Sequence, residues 1–93
     1  MKLQPNETEL TGRWVSENGG VNEDATCQRI TWLLANVLKK VATDASGWEE
    51  LYVDPTDGRY WELSYPQSEL QGGGPPRLVV IGEDVAKKKY NLR

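Results

Sequence analysis

Ninety-three residues, 38% hydrophobic and 27% charged, describe one ordinary soluble domain and are too few for two. With no histidine and one cysteine, the chain lacks the groups for a zinc site, a Ser-His-Asp or Cys-His nucleophile system, or an internal disulfide. A formal charge of −3 and a sequence pI near 4.9 argue against nucleic acid as a direct partner.

The first stretch, MKLQPNETEL, holds no apolar run of signal-peptide length. No segment approaches the ~20 apolar residues of a membrane span, so the expected location is cytoplasmic. Residues 1–9 are polar, contain Pro5, and read as a flexible arm. Leu10 to Ser16 reads as a short strand carrying Trp14 and Val15, with Gly12 allowing a bulge or a close approach. Asn18-Gly19-Gly20 is a turn, after which Val21 starts a short return strand.

A helix follows, capped by Asn22 or Asp24. Apolar residues at Cys27, Ile30, Leu33, Leu34, Val37, Leu38 and Val41 recur in steps of three and four, which predicts one stripe on a helix of about 18 residues. Glu23 and Asp24 near its start and Lys39-Lys40 near its end suit the helix dipole. Gly47, after Asp44-Ala45-Ser46, is its expected left-handed terminator. An aliphatic stripe of this kind is core, and Cys27 within it reads as a small buried hydrophobe.

Asp54-Pro55-Thr56-Asp57-Gly58 carries the clearest turn signal, with Pro55 pre-set for the bend and Gly58 free to take positive φ. It makes Trp48–Val53 and Arg59–Tyr65 the arms of a β-hairpin. Setting Val53 opposite Arg59 puts Leu51 opposite Trp61, Glu50 opposite Glu62 and Tyr52 opposite Tyr60. One face then holds Leu51, Val53, Trp61, Leu63 and Tyr65 against the helix. The other presents Trp48, Glu50, Tyr52, Tyr60, Glu62 and Ser64.

Past the polar link Gln67–Gln71 and Gly72-Gly73-Gly74-Pro75-Pro76, Arg77–Ile81 is a β-rich run and Glu83–Tyr90 a short helix with acids first and lysines last. The sum, over residues 1–93, is an α+β domain. It has a small antiparallel sheet of three to four strands, one long amphipathic helix on a face, and a short C-terminal helix.

Three features invite a chemical reading. The glycine triplet lacks the Lys-Ser/Thr of a phosphate loop and is followed by prolines, so a surface loop explains it. Glu50 and Glu62, as cross-strand neighbours, could share a proton as an acid/base couple. Two solvated glutamates need no such role, and no metal, cofactor or catalytic residue is expected. The outer hairpin face is the third. Residues 44–69 hold seven acidic groups against Arg59 alone, whereas residues 77–93 hold five basic and two acidic. Trp48, Tyr52 and Tyr60 among Glu50, Glu62, Asp54 and Asp57 make a candidate surface for a basic protein. The simpler account is that the C-terminal helix, or a second copy, covers these rings.

Leu10-Thr11-Gly12-Arg13-Trp14, Asp44–Leu51 (DASGWEEL), Asp54–Leu63 (DPTDGRYWEL), Tyr65–Glu69 and Gly72–Leu78 (GGGPPRL), in that order, resemble the immunity protein 27 family. The resemblance implies an α+β antitoxin of a bacterial polymorphic toxin system that binds a cognate toxin domain without catalysis. An acidic hairpin would suit a basic toxin, a nuclease for instance. The competing expectation is a self-associating or small-ligand-binding module, with the aromatic face buried in a homodimer.

Overall fold

The computed structural model describes residues 2–17, 20–67 and 74–92. Strands β1 (Glu9–Thr11), β4 (Lys39–Thr43), β5 (Glu50–Val53), β6 (Tyr60–Ser64) and β7 (Arg77–Ile81) form one antiparallel sheet in the order β1-β7-β6-β5-β4. A separate two-stranded ribbon joins β2 (Trp14–Glu17) to β3 (Gly20–Glu23). The helices are α1 (Ala25–Asn36) and α2 (Glu83–Tyr90).

The architecture is α+β as expected, with five strands in the main sheet rather than three or four. The strand expected over Leu10–Ser16 is two strands in different sheets, separated at Gly12-Arg13. Gly12 makes the close approach the sequence allowed for. A Cβ there would lie 2.5 Å from Cys27 Sγ and 2.9 Å from Pro76 O, and its N–H donates to that same carbonyl at 2.8 Å. The return strand at Val21 is present as β3, whereas Asn18-Gly19 and Ser68–Gly73 lie outside the described residues.

Helix α1 begins at an Asp24 cap, whose Oδ1 accepts from Cys27 N at 2.8 Å. Cys27, Ile30 and Leu33 are buried along the predicted stripe. The helix spans 12 residues, not about 18. The amides of Val37 and Leu38 both donate to Leu33 O, at 2.9 and 2.8 Å, and the chain then turns into β4. Leu38 stays in the core, but Val41 sits exposed where the β4–β5 register shifts between Lys40 and Ala42. Lys39-Lys40 are therefore strand residues, so the expected basic end of α1 is absent, while Asp24 stands at its start as the cap. Gly47 takes φ +80° in the β4–β5 turn, where it closes a hairpin rather than a helix.

The central hairpin forms in a register one residue away from the expected one. Asp54 N donates to Arg59 O at 3.0 Å, so four residues, Pro55–Gly58, make the loop. The pairs are Glu50↔Leu63, Leu51↔Glu62, Tyr52↔Trp61 and Val53↔Tyr60. A one-residue shift in one arm moves its side chains to the other face. Tyr52 thus joins Trp61, Leu63, Leu78 and Leu10 beneath α1, where Ile30, Leu33 and Leu38 complete the core. Leu51 turns to the opposite face and packs with Ala86 and Tyr90 of α2, flanked by Ala42, Tyr60 and Ile81. The sheet is the middle of three layers.

Strand β7 and α2 occupy the predicted spans, and α2 has Glu83-Asp84 in its first turn and Lys87–Lys89 in its last. Over the segment expected to be an arm, Leu3 packs on the α1-side core and Glu7 pairs with Arg29 at 2.6 Å. Arg59 there bonds the carbonyls of Glu7 at 2.6 Å and Gln4 at 3.2 Å while lying 5.1 Å from the Trp61 ring centre.

Candidate partner-binding surface

Trp48 stands on the turn from β4 to β5, and Asp44 organises that turn. Its N–H donates to Glu49 O at 2.9 Å, and its Oδ1 accepts from Ser46 Oγ at 2.8 Å, Gly47 N at 3.0 Å and Glu49 N at 3.2 Å. The Ser46 hydroxyl and these amides hold the Asp44 carboxyl below the usual carboxylate range. Ser46 Oγ in turn accepts from Trp48 N at 3.1 Å. The amides of Gly47, Trp48 and Glu49 are all bonded inside the turn, while the indole they carry is 65% exposed.

Trp48 lies two residues before Glu50, and Tyr65 two after Leu63, the pair that ends the ladder at this end of the hairpin. Both rings line an open groove of ≈ 480 Å³ whose wall includes Glu49, Ser64 and Arg77. Tyr65 is 37% exposed. Burial, with the Glu50 charge beside it, raises its phenol pKa. Glu50 bonds Lys40 Nζ at 2.7 Å and accepts from Tyr52 Oη at 3.1 Å. Lys40 holds the Glu50 carboxyl below its ordinary range despite partial burial.

The other residues singled out in the sequence do not share this place. Tyr52 is 9% exposed on the α1 side, and burial, then the Glu50 charge, push its phenol up to about 12. Tyr60 is half-buried against the α2-side cluster. Glu62, on the same face, accepts from Tyr90 Oη at 2.8 Å and pairs with Lys89 at 2.8 Å. Lys89 also reaches Glu49 at 2.8 Å, and its hydrogen bonds to Glu49 and then Glu62 raise its pKa. Asp54 is buried in the far turn, where it accepts from Thr56 N at 2.9 Å. Asp57 accepts from Arg59 N at 3.0 Å and Nε at 2.6 Å, the amide contributing most to its lowered pKa.

The single outer face that would carry Trp48, Glu50, Tyr52, Tyr60, Glu62 and Ser64 is therefore split. Glu50 and Glu62 belong to opposite faces and form no carboxylate couple. Trp48 and Glu50 lie at the open end of the hairpin, Tyr52 under α1, Tyr60 and Glu62 on the α2 side, Asp54 and Asp57 at the turn. Tyr65, Arg77 and Lys89 are additions that the sequence reading did not single out. The basic excess of residues 77–93, set beside the acidic excess of 44–69, was a signal for the Lys89 pairings.

Among the described residues, no group of three or more His, Cys, Asp or Glu is placed to hold a metal ion, and no helix is long and apolar enough to cross a membrane. The fold defines a small three-layer α+β domain with a rigid, ring-bearing turn at one end of its sheet. Its sequence matches Immunity protein 27 over residues 16–82, and the chain belongs to that family. Neither a curated protein nor a solved structure gives a match. The matched span runs from within β2 to just past β7 and contains the Trp48 turn and the whole hairpin, leaving β1 and α2 outside.

Proposed function

We propose that this protein is a non-catalytic antitoxin of a polymorphic toxin system, which stays in the cytoplasm and neutralises a cognate toxin domain by stoichiometric binding. The observation that carries this reading is membership of the Immunity protein 27 family across most of the chain. The hairpin region is the toxin-facing part. Its acidic residues steer a basic toxin, a nuclease for example, toward the sheet end. In-chain ion pairs temper that field, since Glu49, Glu50, Asp57 and Glu62 each meet a lysine or arginine.

The test is co-expression with the toxin domain encoded beside it in its source genome. Growth restored only when this chain is present, with a one-to-one complex on gel filtration, supports the role. Unrelieved growth arrest at matched expression removes it.

A further inference from the structure

We propose that the Trp48–Tyr65 groove is a receptor for a cationic side chain, an arginine presented by a basic segment of a partner protein. That the partner is a toxin rests on the immunity reading; the chemistry of the groove does not.

Three observations converge on this end of the sheet. The first is cost. The Trp48 indole is 65% exposed, while Trp61 of the same hairpin is fully buried, and a large exposed ring beside a second one at 37% is a surface shaped for a partner.

The second is rigidity. Gly47, Trp48 and Glu49 all donate their amides within the turn, to Asp44 and Ser46. The ring is thus carried on a backbone already fixed, and little further ordering is needed when it is covered.

The third is charge. Residues 44–50, DASGWEE, hold Asp44, Glu49 and Glu50 and no basic group. Two lysines answer these three carboxylates, Lys89 to Glu49 and Lys40 to Glu50. Arg77 on the groove wall is itself paired with Glu9 at 2.7 Å, so the balance around the groove stays one carboxylate in excess beside two aromatic faces. A guanidinium suits both, because it stacks on an indole or phenol ring and offers a planar fork of donors to a carboxylate.

A second copy of this chain fits the same surface poorly. A two-fold contact through this turn would set two acid-rich loops against each other and bury their like charges.

The test is an amide and indole NMR titration of the intact, nitrogen-15-labelled chain with the capped peptide acetyl-Gly-Arg-Gly-amide. The charge-reversed acetyl-Gly-Glu-Gly-amide is the control. The expected result is shift changes at the Trp48 indole N–H and the Gly47–Glu49 amides with the arginine peptide and none there with the glutamate peptide. Trp48→Ala, which keeps the dispersed spectrum of the folded chain, weakens the arginine peptide about tenfold. Equal shifts with both peptides, no shift at Trp48, or Trp48 signals that move with protein concentration alone would each overturn the proposal, the last by making a second copy the occupant. No toxin enters this titration, so its failure removes the groove chemistry and leaves the immunity role to the co-expression test.

Discussion

The Tyr90 hydroxyl donates to Glu62 Oε2 at 2.8 Å, and that bond ties the last turn of α2 to the centre of the sheet. Burial and the carboxylate together raise the phenol pKa far above its ordinary value, with burial the larger cause. Tyr90→Phe keeps the ring but removes the donor, and is expected to cost about 1.5–3 kcal/mol in urea denaturation, the scale of a bond to a charged group. Tyr90→Ala also empties part of the Leu51–Ala86 cluster and is expected to cost about 3 kcal/mol or more. Equal losses for the two variants would show that the hydroxyl, not the ring, holds α2.

Two tryptophans of one hairpin should behave oppositely. Trp61→Ala removes a fully buried side chain beneath α1 and is expected to destabilise by about 3–5 kcal/mol. Trp48→Ala alters an exposed ring and is expected to leave the unfolding midpoint within about 0.5 kcal/mol of the parent. Denaturation curves of the two variants decide this directly.

Acid should loosen the N-terminal segment. Arg29 bonds both oxygens of Glu7, at 2.7 and 2.6 Å, and lowers its carboxyl pKa from 4.5 to about 2. A carboxyl depressed on folding contributes stability above its unfolded pKa, and that contribution fades as pH falls from 4.5 toward 2. Because the pair is solvent-screened, Glu7→Gln is expected to cost only about 1 kcal/mol near neutrality. It should flatten the loss of stability between pH 4.5 and 2, measured by thermal melts across that window.

Glycines 12 and 58 separate two reasons for the same residue. An alanine at Gly12 would press its Cβ on Cys27 Sγ and on the Pro76 carbonyl, whose backbone cannot swing aside, so about 1–3 kcal/mol of overpacking is expected. At Gly58 the space is open and only φ +77° opposes a side chain, for an expected cost near 1 kcal/mol. Asparagine, which tolerates the left-handed region, should recover part of the loss at Gly58 and none at Gly12.

Strand β7 and helix α2 were legible because each had its punctuation: prolines before one, Gly82 between them, and acids and lysines at the right ends of the other. The end of α1 was not. Leu38 and Val41 continue the helical spacing by coincidence, and nothing local reveals that β5 needs Lys39–Thr43 as an edge partner. The hairpin faces were missed through a single residue of loop length. Pairing Asp54 with Arg59 rather than Val53 with Arg59 sends Tyr52 inward and Glu62 toward α2. Both arms have apolar side chains for either face, so the pattern alone did not choose. Trp48 is exposed in either register, because its exposure comes from the turn and not from the strand pairing.

The Asp44 turn closes its hydrogen bonds on itself, and both broad faces of the sheet are occupied by helices. The side chain at the crest of that turn can therefore be exchanged without asking the interior to adapt. This separates two kinds of position in one small domain. Folding is guarded by residues such as Trp61 and Leu78, while Trp48 and its neighbours can change, one substitution at a time, without cost to that interior.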